Sequence, residues 1–434
     1  MLKQEILHIV EDFNFWRKPQ ETGIEREELA KVMPFIEDKR TAFVITGVRR
    51  AGKTFLAKQI LAHMIKNRKI REDQTLFVNF EDPALEEYLN VEALQDLYET
   101  YRYSLNKKDF AIIVFDEVQN IPNWEKWVRI MMEKGENVKF IITGSSSKIF
   151  KSETARVLTG RAINFFLMPL SFRNFLRFKN YELKKYESYR SLGMLLNEYL
   201  EYGGFPLVVL AEKEKKTYLK ELFDDIVVKD IILKYKLREQ DVKKLTVLLC
   251  NNFSSLVSVK RLRNLMQEIV KVRLSPTSIN KYLYYFEDAF LFFFVPIFSY
   301  KIKDTMLYPR KAYCIDTGLV NAINLRFSEN IGRIYENAVA IQLLRKYGKE
   351  NIFYWKSQKE EVDFVVKEGQ KVTQLIQVCY DIRNVEKREV GALLSASKEL
   401  GCKNLLIITE NYEAEKSVEN KKIKFVPLWK WLLQ

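Results

Sequence analysis

The chain has little of what builds small stapled or metal-held scaffolds: its 434 residues include only four cysteines and two histidines. Cys250, Cys314, Cys379 and Cys402 lie far apart and form no CxxC pair, which excludes a zinc ribbon and a disulfide framework and implies reduced thiols. Two histidines exclude chemistry that needs several imidazoles. Glycine (15) and proline (10) are scarce, which excludes collagen-like and low-complexity disorder. Long apolar runs are missing too. The longest, Ala289 to Phe298, is about half of what a bilayer needs and is broken by Pro296. The opening MLKQEILHIVEDFNFW mixes charged with apolar residues and lacks the unbroken apolar region of a secretory signal. A cytoplasmic chain with no membrane partner is the expectation.

Positive charge, in contrast, is plentiful. Lys and Arg number 71 against 57 Asp and Glu, a net +14 and a pI near 9.2, which points to an acidic partner such as nucleic acid. Residues 212–310 hold 19 Lys/Arg and 12 Asp/Glu, an excess of +7, so half the surplus lies in under a quarter of the chain. At roughly 100 to 200 residues per domain, the length implies two to four domains.

The first third alternates apolar strand-like runs with amphipathic stretches, the pattern of a doubly wound parallel α/β sheet. The runs are Ala42 to Thr46, Thr75 to Phe80, Phe110 to Phe115, Val138 to Thr143 and Ala162 to Met168. From about Leu170 the pattern turns helical, with a Gly-Gly break inside Asn197 to Leu210. Three helices, Asp241 to Asn252, Val259 to Val270 and Ser275 to Asp288, then precede a β-rich Leu291 to Tyr300, the outline of a winged helix-turn-helix. After about Ala312 the α/β alternation returns, with strands at Asn351 to Trp355, Val362 to Val366, Thr373 to Cys379 and Asn404 to Thr409. The expected divisions are 1–170, a P-loop core; 171–240, a helical lid; 241–310, a winged helix; and 311–434, a further α/β domain.

The first strand runs into Gly47, Val48, Arg49, Arg50, Ala51, Gly52, Lys53 and Thr54, a full G-x-x-x-x-G-K-[ST] match, followed by Phe55 and a helical run. Glycines let the backbone N–H groups curl around a phosphate, and the helix N-terminus aims its partial positive charge there. Lys53 is expected to reach the β and γ oxygens of ATP and Thr54 to ligate Mg²⁺. The third apolar run ends in Asp116 and Glu117, where Asp116 would hold Mg²⁺ and Glu117 would polarise the attacking water. At the end of the fourth, Thr143 or Ser145 fits a γ-phosphate sensor. Arg156 and Arg161 follow as candidates for an arginine finger, which acts across a subunit boundary and would imply a homo-oligomer.

Taken in order, TGVRRAGKT (46–54), FDEVQNIPNWEKWVR (115–129), ITGSSS (142–147), LTGR (158–161), PLSFRNFL (169–176), YGGFP (202–206), CIDTGL (314–319), GRIYENAV (332–339) and EVDFVV (361–366) resemble a prokaryotic family of AAA-type P-loop ATPases. Its members carry a C-terminal restriction-endonuclease-like domain of unknown function and are related to archaeal-type and signal-transducing ATPases. The resemblance covers most of the chain and implies ATP hydrolysis. It also implies that GGFP is similar to the Gly-x-Pro element with which signal-transducing ATPases meet adenine, so Pro206 becomes a nucleotide candidate; a Gly-Gly turn closed by Pro is the structural alternative.

The resemblance places a nuclease-like site at Glu336, Asp363, Gln377 and Cys379. Cys379 stands where such nucleases carry lysine, and Gln377 where they carry glutamate. A thiol supplies no positive charge, so a degenerate domain that binds nucleic acid or protein without cutting is expected, unless Lys356 or Lys359 takes the role. In the winged helix, Ser275 and Pro276 open a helix that carries Thr277, Ser278, Asn280 and Lys281, flanked by Lys260, Arg261, Arg263, Lys271 and Arg273. These types reach base edges and phosphates, although such helices also serve as lids on an ATPase core. The reading is an ATP-hydrolysing protein whose C-terminal domains engage DNA or a protein partner. The alternatives are an ATP-regulated nuclease and a nucleotide switch in a signalling or defence complex.

Overall fold

A computed structural model of the chain describes residues 2–145, 158, 160–184, 189–269, 271–323 and 330–434, in two compact units, Met1–Leu167 and Met168–Gln434. Arg156, Ser146 and Ser147 lie outside the described residues.

The first unit holds helices α1 (Leu2–Glu11), α2 (Glu28–Glu37), α3 (Lys53–Lys66), α4 (Val91–Ser104) and α5 (Trp124–Glu133) around strands β1 (Ala42–Thr46), β2 (Thr75–Asn79), β3 (Ala111–Asp116), β4 (Val138–Gly144) and β5 (Ala162–Phe166). The strand order is β2-β3-β4-β1-β5, and each neighbouring pair is parallel. β1, β3 and β4 are buried along their whole length, which is why each reads as an unbroken apolar run. Side chains alternate between faces: Val44, Val78, Phe115 and Phe140 pack with α1, α4 and α5, and Phe43, Ile45, Phe77 and Ile141 with α2 and α3.

One cation breaks that run. Lys139 on β4 is fully buried, and its Nζ donates to the carbonyls of Phe35, Asp38 and Thr41 at 2.7, 2.6 and 2.5 Å. It satisfies the Phe35 and Asp38 carbonyls at the end of α2 and that of Thr41 just before β1. Burial pulls its pKa down to about 8.

The second unit begins with α6 (Phe172–Phe178), α7 (Tyr189–Tyr202), α8 (Pro206–Leu210) and α9 (Lys215–Asp225), which continues as a π-helix over Ile226–Leu233. Next come α10 (Glu239–Asn251), β6 (Ser255–Val257), α11 (Val259–Glu268), α12 (Pro276–Asp288), β7 (Phe292–Val295), α13 (Ile302–Leu307) and β8 (Arg310–Cys314). The expected β-rich Leu291 to Tyr300 is corrected: only four residues form a strand, which stops before Pro296, a residue with no N–H for a ladder. Its partner is β8, which also pairs with β6. β8 therefore crosses the 310/311 division, because ladder hydrogen bonds join residues that sequence pattern does not link.

After α14 (Thr317–Ile323) and α15 (Ile331–Tyr347) come β9 (Ile352–Lys356), β10 (Glu361–Glu368), β11 (Lys371–Cys379), α16 (Ile382–Leu400), β12 (Leu405–Thr409), β13 (Ala414–Val418), β14 (Lys421–Pro427) and α17 (Leu428–Leu432). They form a sheet of order β13-β14-β12-β11-β10-β9. Its β9-β10-β11 part is antiparallel and its β11-β12-β14 part parallel. Among the described residues, no helix is long and apolar enough to cross a membrane.

Candidate functional site

Because β1, β3 and β4 are parallel neighbours, their carboxyl ends lie side by side, the place where open α/β sheets bind ligands. The loop after β1 reaches α3 through Gly52, whose φ of 96° is one that glycine adopts without steric cost. Behind the loop, buried Arg26 pairs with Glu28 at 3.1 Å and donates to the Ala51 carbonyl at 2.7 Å. Gln59 donates to the carbonyls of Thr22 and Ile24, both at 2.9 Å. The loop is thus held from beneath through its Ala51 carbonyl.

Five expected residues meet there. Thr54 Oγ1 donates to Asp116 Oδ2 at 2.8 Å, and Thr143 Oγ1 donates to Asp116 Oδ1 at 2.5 Å. Thr143 also accepts from the Glu117 N–H at 3.1 Å. Lys53 Nζ lies 3.3 Å from Glu117 Oε1, 3.3 Å from the Gly47 carbonyl and 3.4 Å from that of Val48. Burial pushes the Asp116 carboxyl up to about 6, against the Thr143 hydrogen bond. Burial acts most strongly, to raise Glu117, but the Lys53 ammonium, the Gln119 hydrogen bond and Arg49 together outweigh it and hold that carboxyl below its ordinary value. Arg50 and Glu117 take left-handed φ values of 65° and 52°, a strain that gathers at functional sites. A hydroxyl and a carboxylate within hydrogen-bond reach are hard oxygen donors of the kind Mg²⁺ takes, so the donor set fits that ion.

The other candidates stand outside these side-chain hydrogen bonds, although the carbonyls of Gly47 and Val48 face Lys53. Ser145 is buried at the end of β4. Arg49 pairs with Glu81 at 3.6 Å, Val48 and Ala51 are buried, and Phe55 is exposed. Arg161 is half-buried beside β5 and paired with Glu133. Pro206 belongs to the second unit, where the YGGFP segment has a partner of its own. Gly203 has φ 74°, and a Cβ there would lie 1.9 Å from Asp316 Oδ1. Buried Asp316 accepts from the N–H groups of Gly204 and Gly318 at 2.7 and 2.9 Å. YGGFP and CIDTGL thus fit one another, a pairing that sequence reading did not foresee.

The nuclease-like candidates are held differently from the expected pattern. Asp363 Oδ2 accepts from the Val378 N–H at 2.9 Å, and the Asp363 N–H donates to Gln377 Oε1 at 3.0 Å. Gln377 Nε2 donates to Glu389. Burial pushes the Cys379 thiol up to about 12, so it is neutral. A cation does stand among these carboxylates, and it comes from another strand. Buried Lys311, on β8, lies 2.8 Å from Asp363, 2.9 Å from Glu361 and 3.1 Å from Glu336. Two residues on, and so on the same face of β8, Tyr313 donates to Glu336 at 2.6 Å. Burial pushes Glu336 up to about 7 even with Lys311 beside it. The one signal for Lys311 was a lysine heading the apolar run of β8. Lys356 pairs with Glu361 at 3.0 Å. It lines, with Lys359, Asp363, Gln377 and Arg388, a cleft of about 370 Å³.

On α11 and α12, Lys260, Arg261, Arg263, Asn280 and Lys281 are exposed, opposite buried Leu262, Met266, Ile279 and Leu283. Ser275 caps α12 by accepting from the Ser278 N–H at 3.0 Å.

Residues 39–176 match the AAA domain family, and 194–330 and 331–431 match two domains of unknown function, DUF8612 and DUF4143. The chain is 40% identical over 405 residues to an uncharacterized protein of Methanocaldococcus jannaschii, covering 90% of this chain and 88% of that one. It is 29% identical over 413 residues to an uncharacterized protein of Haemophilus influenzae, covering 95% and 99%. Among solved structures, a Walker-type ATPase of Pyrococcus abyssi matches at 12% identity and TM-score 0.47, covering 69% of this chain and 96% of that one. The Aeropyrum pernix ORC1 protein in complex with DNA matches at 14% and 0.34, covering 70% and 94%. With its phosphate loop, its paired carboxylates and this identity to the M. jannaschii protein, the chain belongs to that protein's family, a family of AAA-type P-loop ATPases.

Proposed function

We propose that the first unit binds and hydrolyses ATP and that the second carries the element that engages a partner. The observation that carries the first half is the meeting of Lys53, Thr54, Asp116, Glu117 and Thr143 at three adjacent strand ends. Lys53 is held by contacts of 3.3 to 3.4 Å, long enough for a triphosphate to replace them. Thr54 and Asp116 would hold Mg²⁺, which when bound neutralises charge on the phosphate oxygens. Once Lys53 turns to phosphate, Glu117 is released to accept a proton from the attacking water, and Thr143 holds the Glu117 backbone in its strained turn. Arg161, half-buried and paired with Glu133 rather than with a residue of the phosphate-loop site, is read as a finger for a neighbouring copy. Pro206 is retained as a candidate adenine contact. The test is Glu117→Gln, expected to keep ATP binding and to slow turnover by about 10² to 10⁴-fold; unchanged turnover would remove Glu117 from the mechanism.

In the second unit, residues 171–240 are read as a helical lid, 241–310 as a winged helix completed by β8, and 311–434 as a restriction-endonuclease-like domain. The order α15-β9-β10-β11-α16-β12 supports the last reading, and the neutral Cys379 argues against cleavage. The favoured partner is DNA, on the five exposed polar and basic residues of α11 and α12. If they grip a phosphate backbone, log affinity falls with log salt at about −0.9 per phosphate neutralised. Replacing Lys260, Arg261 and Arg263 together by Ala should flatten that slope by up to about three units. Salt-independent binding would hand these helices to a protein partner.

A further inference from the structure

The nuclease-like reading implies a divalent cation at Glu336 and Asp363, and the residues present do not fit one. Lys311 has three N–H donors, and three carboxylates, those of Asp363, Glu361 and Glu336, stand at 2.8, 2.9 and 3.1 Å from its nitrogen. A lysine that orients an attacking water needs a donor left over for it. Lys311 has none left. Each carboxylate is turned further from a metal's needs by its other partners: Tyr313 on Glu336, the Val378 N–H on Asp363 and Lys356 on Glu361. Among the described residues, no group of three or more His, Cys, Asp or Glu side chains is arranged to hold a metal ion.

Resting on the restriction-endonuclease-like reading of this domain, we propose that Lys311 takes the place a divalent cation has in a nuclease of that fold, turning the former catalytic centre into a metal-independent joint. The joint has a direction. β8 is the middle strand of the β6-β8-β7 sheet, and on one face it sends Lys311 and Tyr313 to α15 and β10. At the neighbouring position, Asn337 Oδ1 accepts from the Cys314 N–H and its Nδ2 donates to the Cys314 carbonyl, both at 2.9 Å. One helix turn back, Arg333 donates to the carbonyls of Asn251 and Phe253. The carboxylates that would have faced a phosphodiester thus fasten the α10–α12 segment to the six-stranded sheet. Movement of that segment is then passed to the C-terminal domain as one body.

The test is Mn²⁺ binding followed by electron paramagnetic resonance, on the full chain carrying Lys53→Ala and without nucleotide, so that the phosphate loop holds no metal. The chain with Lys311 intact should bind no Mn²⁺ that Asp363→Asn removes. Lys311→Gln, which keeps amide donors for folding, should gain one equivalent at an affinity raised about tenfold or more, and adding Asp363→Asn should abolish it. Asp363-dependent binding with Lys311 intact would overturn the proposal while leaving the nuclease-like reading standing. No gain in a folded Lys311→Gln chain would overturn both. If Lys311→Gln does not fold, the measurement with Lys311 intact still decides, since Mn²⁺ bound there at Asp363 excludes a resident lysine.

Discussion

Among the described residues two buried lysines face carboxylates, and the difference between them is one of saturation. Lys53 sits at the mouth of a glycine-bearing loop and touches one carboxylate and two carbonyls, all at 3.3 Å or more. Lys311 sits on a strand and is held by three carboxylates at 2.8 to 3.1 Å. In the first site the carboxylates have other partners: Asp116 rests on the hydroxyls of Thr54 and Thr143, which a metal ion or a water can replace, and Glu117 on the Gln119 amide as well as on Lys53. In the second they rest on the lysine itself. Buried charge is stable only when paired: a lysine kept loosely is available to a ligand, and one fully paired has become structure.

The same substitution should therefore act oppositely at the two places. The largest effect belongs to the first site, where Lys53→Ala should abolish ATP binding in a filter or calorimetric assay while leaving the thermal transition nearly in place. Retained micromolar binding would mean that the loop backbone alone carries the affinity. Next comes Lys311→Ala, which leaves three carboxylates buried without their cation. It should destabilise the second unit by about 3 to 5 kcal/mol, read by urea unfolding, and adding Asp363→Asn and Glu361→Gln should recover part of that. A cost below about 1 kcal/mol would show that water reaches the cluster and that the pairing is incidental.

A smaller effect sharpens the first site. Burial raises Asp116 to about 6, and only its ionised form faces a cation. Mg²⁺-dependent nucleotide affinity should hold above neutral pH and fall as pH drops through about 6, approaching about tenfold per pH unit below that. Stability moves the other way. The native chain takes up a proton that an unfolded aspartate, titrating near 3.8, does not, so this group favours the fold below that range and loses the contribution as pH rises through about 6. An affinity profile flat from about pH 7.5 to 5 would contradict the raised value. The smallest change in stability is expected for Arg161→Ala, since its Glu133 partner is exposed and surface pairs contribute little. Turnover is the contrast. It should drop if Arg161 serves a neighbouring copy, and mixing with Lys53→Ala chains should restore part of it. Unchanged turnover would leave Arg161 a surface residue.

Local pattern carried the reading wherever chemistry and chain order coincide. The five strands of the first unit lie within a few residues of their apolar runs, and β1, β3 and β4 are plainest because a strand buried on both faces must be apolar throughout. The phosphate loop is contiguous, and Asp116, Glu117 and Thr143 are legible because each follows such a run. Lys139 was not, since a lone lysine in an apolar strand has no meaning until the end of α2 and the residue before β1 bring three carbonyls to it. Neither was the fit of Gly203 to Asp316, which depends on two turns more than a hundred residues apart.

By itself, then, the amino-acid sequence determined the parallel sheet, the phosphate loop and the carboxylates after β3, all of which follow from periodicity and short-range spacing. Tertiary structure alone decided that β8 crosses a boundary drawn from charge and pattern, and that it carries Lys311 to Glu336, Glu361 and Asp363. Sequence comparison could see that Cys379 is no lysine. Which cation meets these carboxylates was set by strand pairing, because closing a long loop leaves no local mark and which buried charges meet depends on the ladder that closes it.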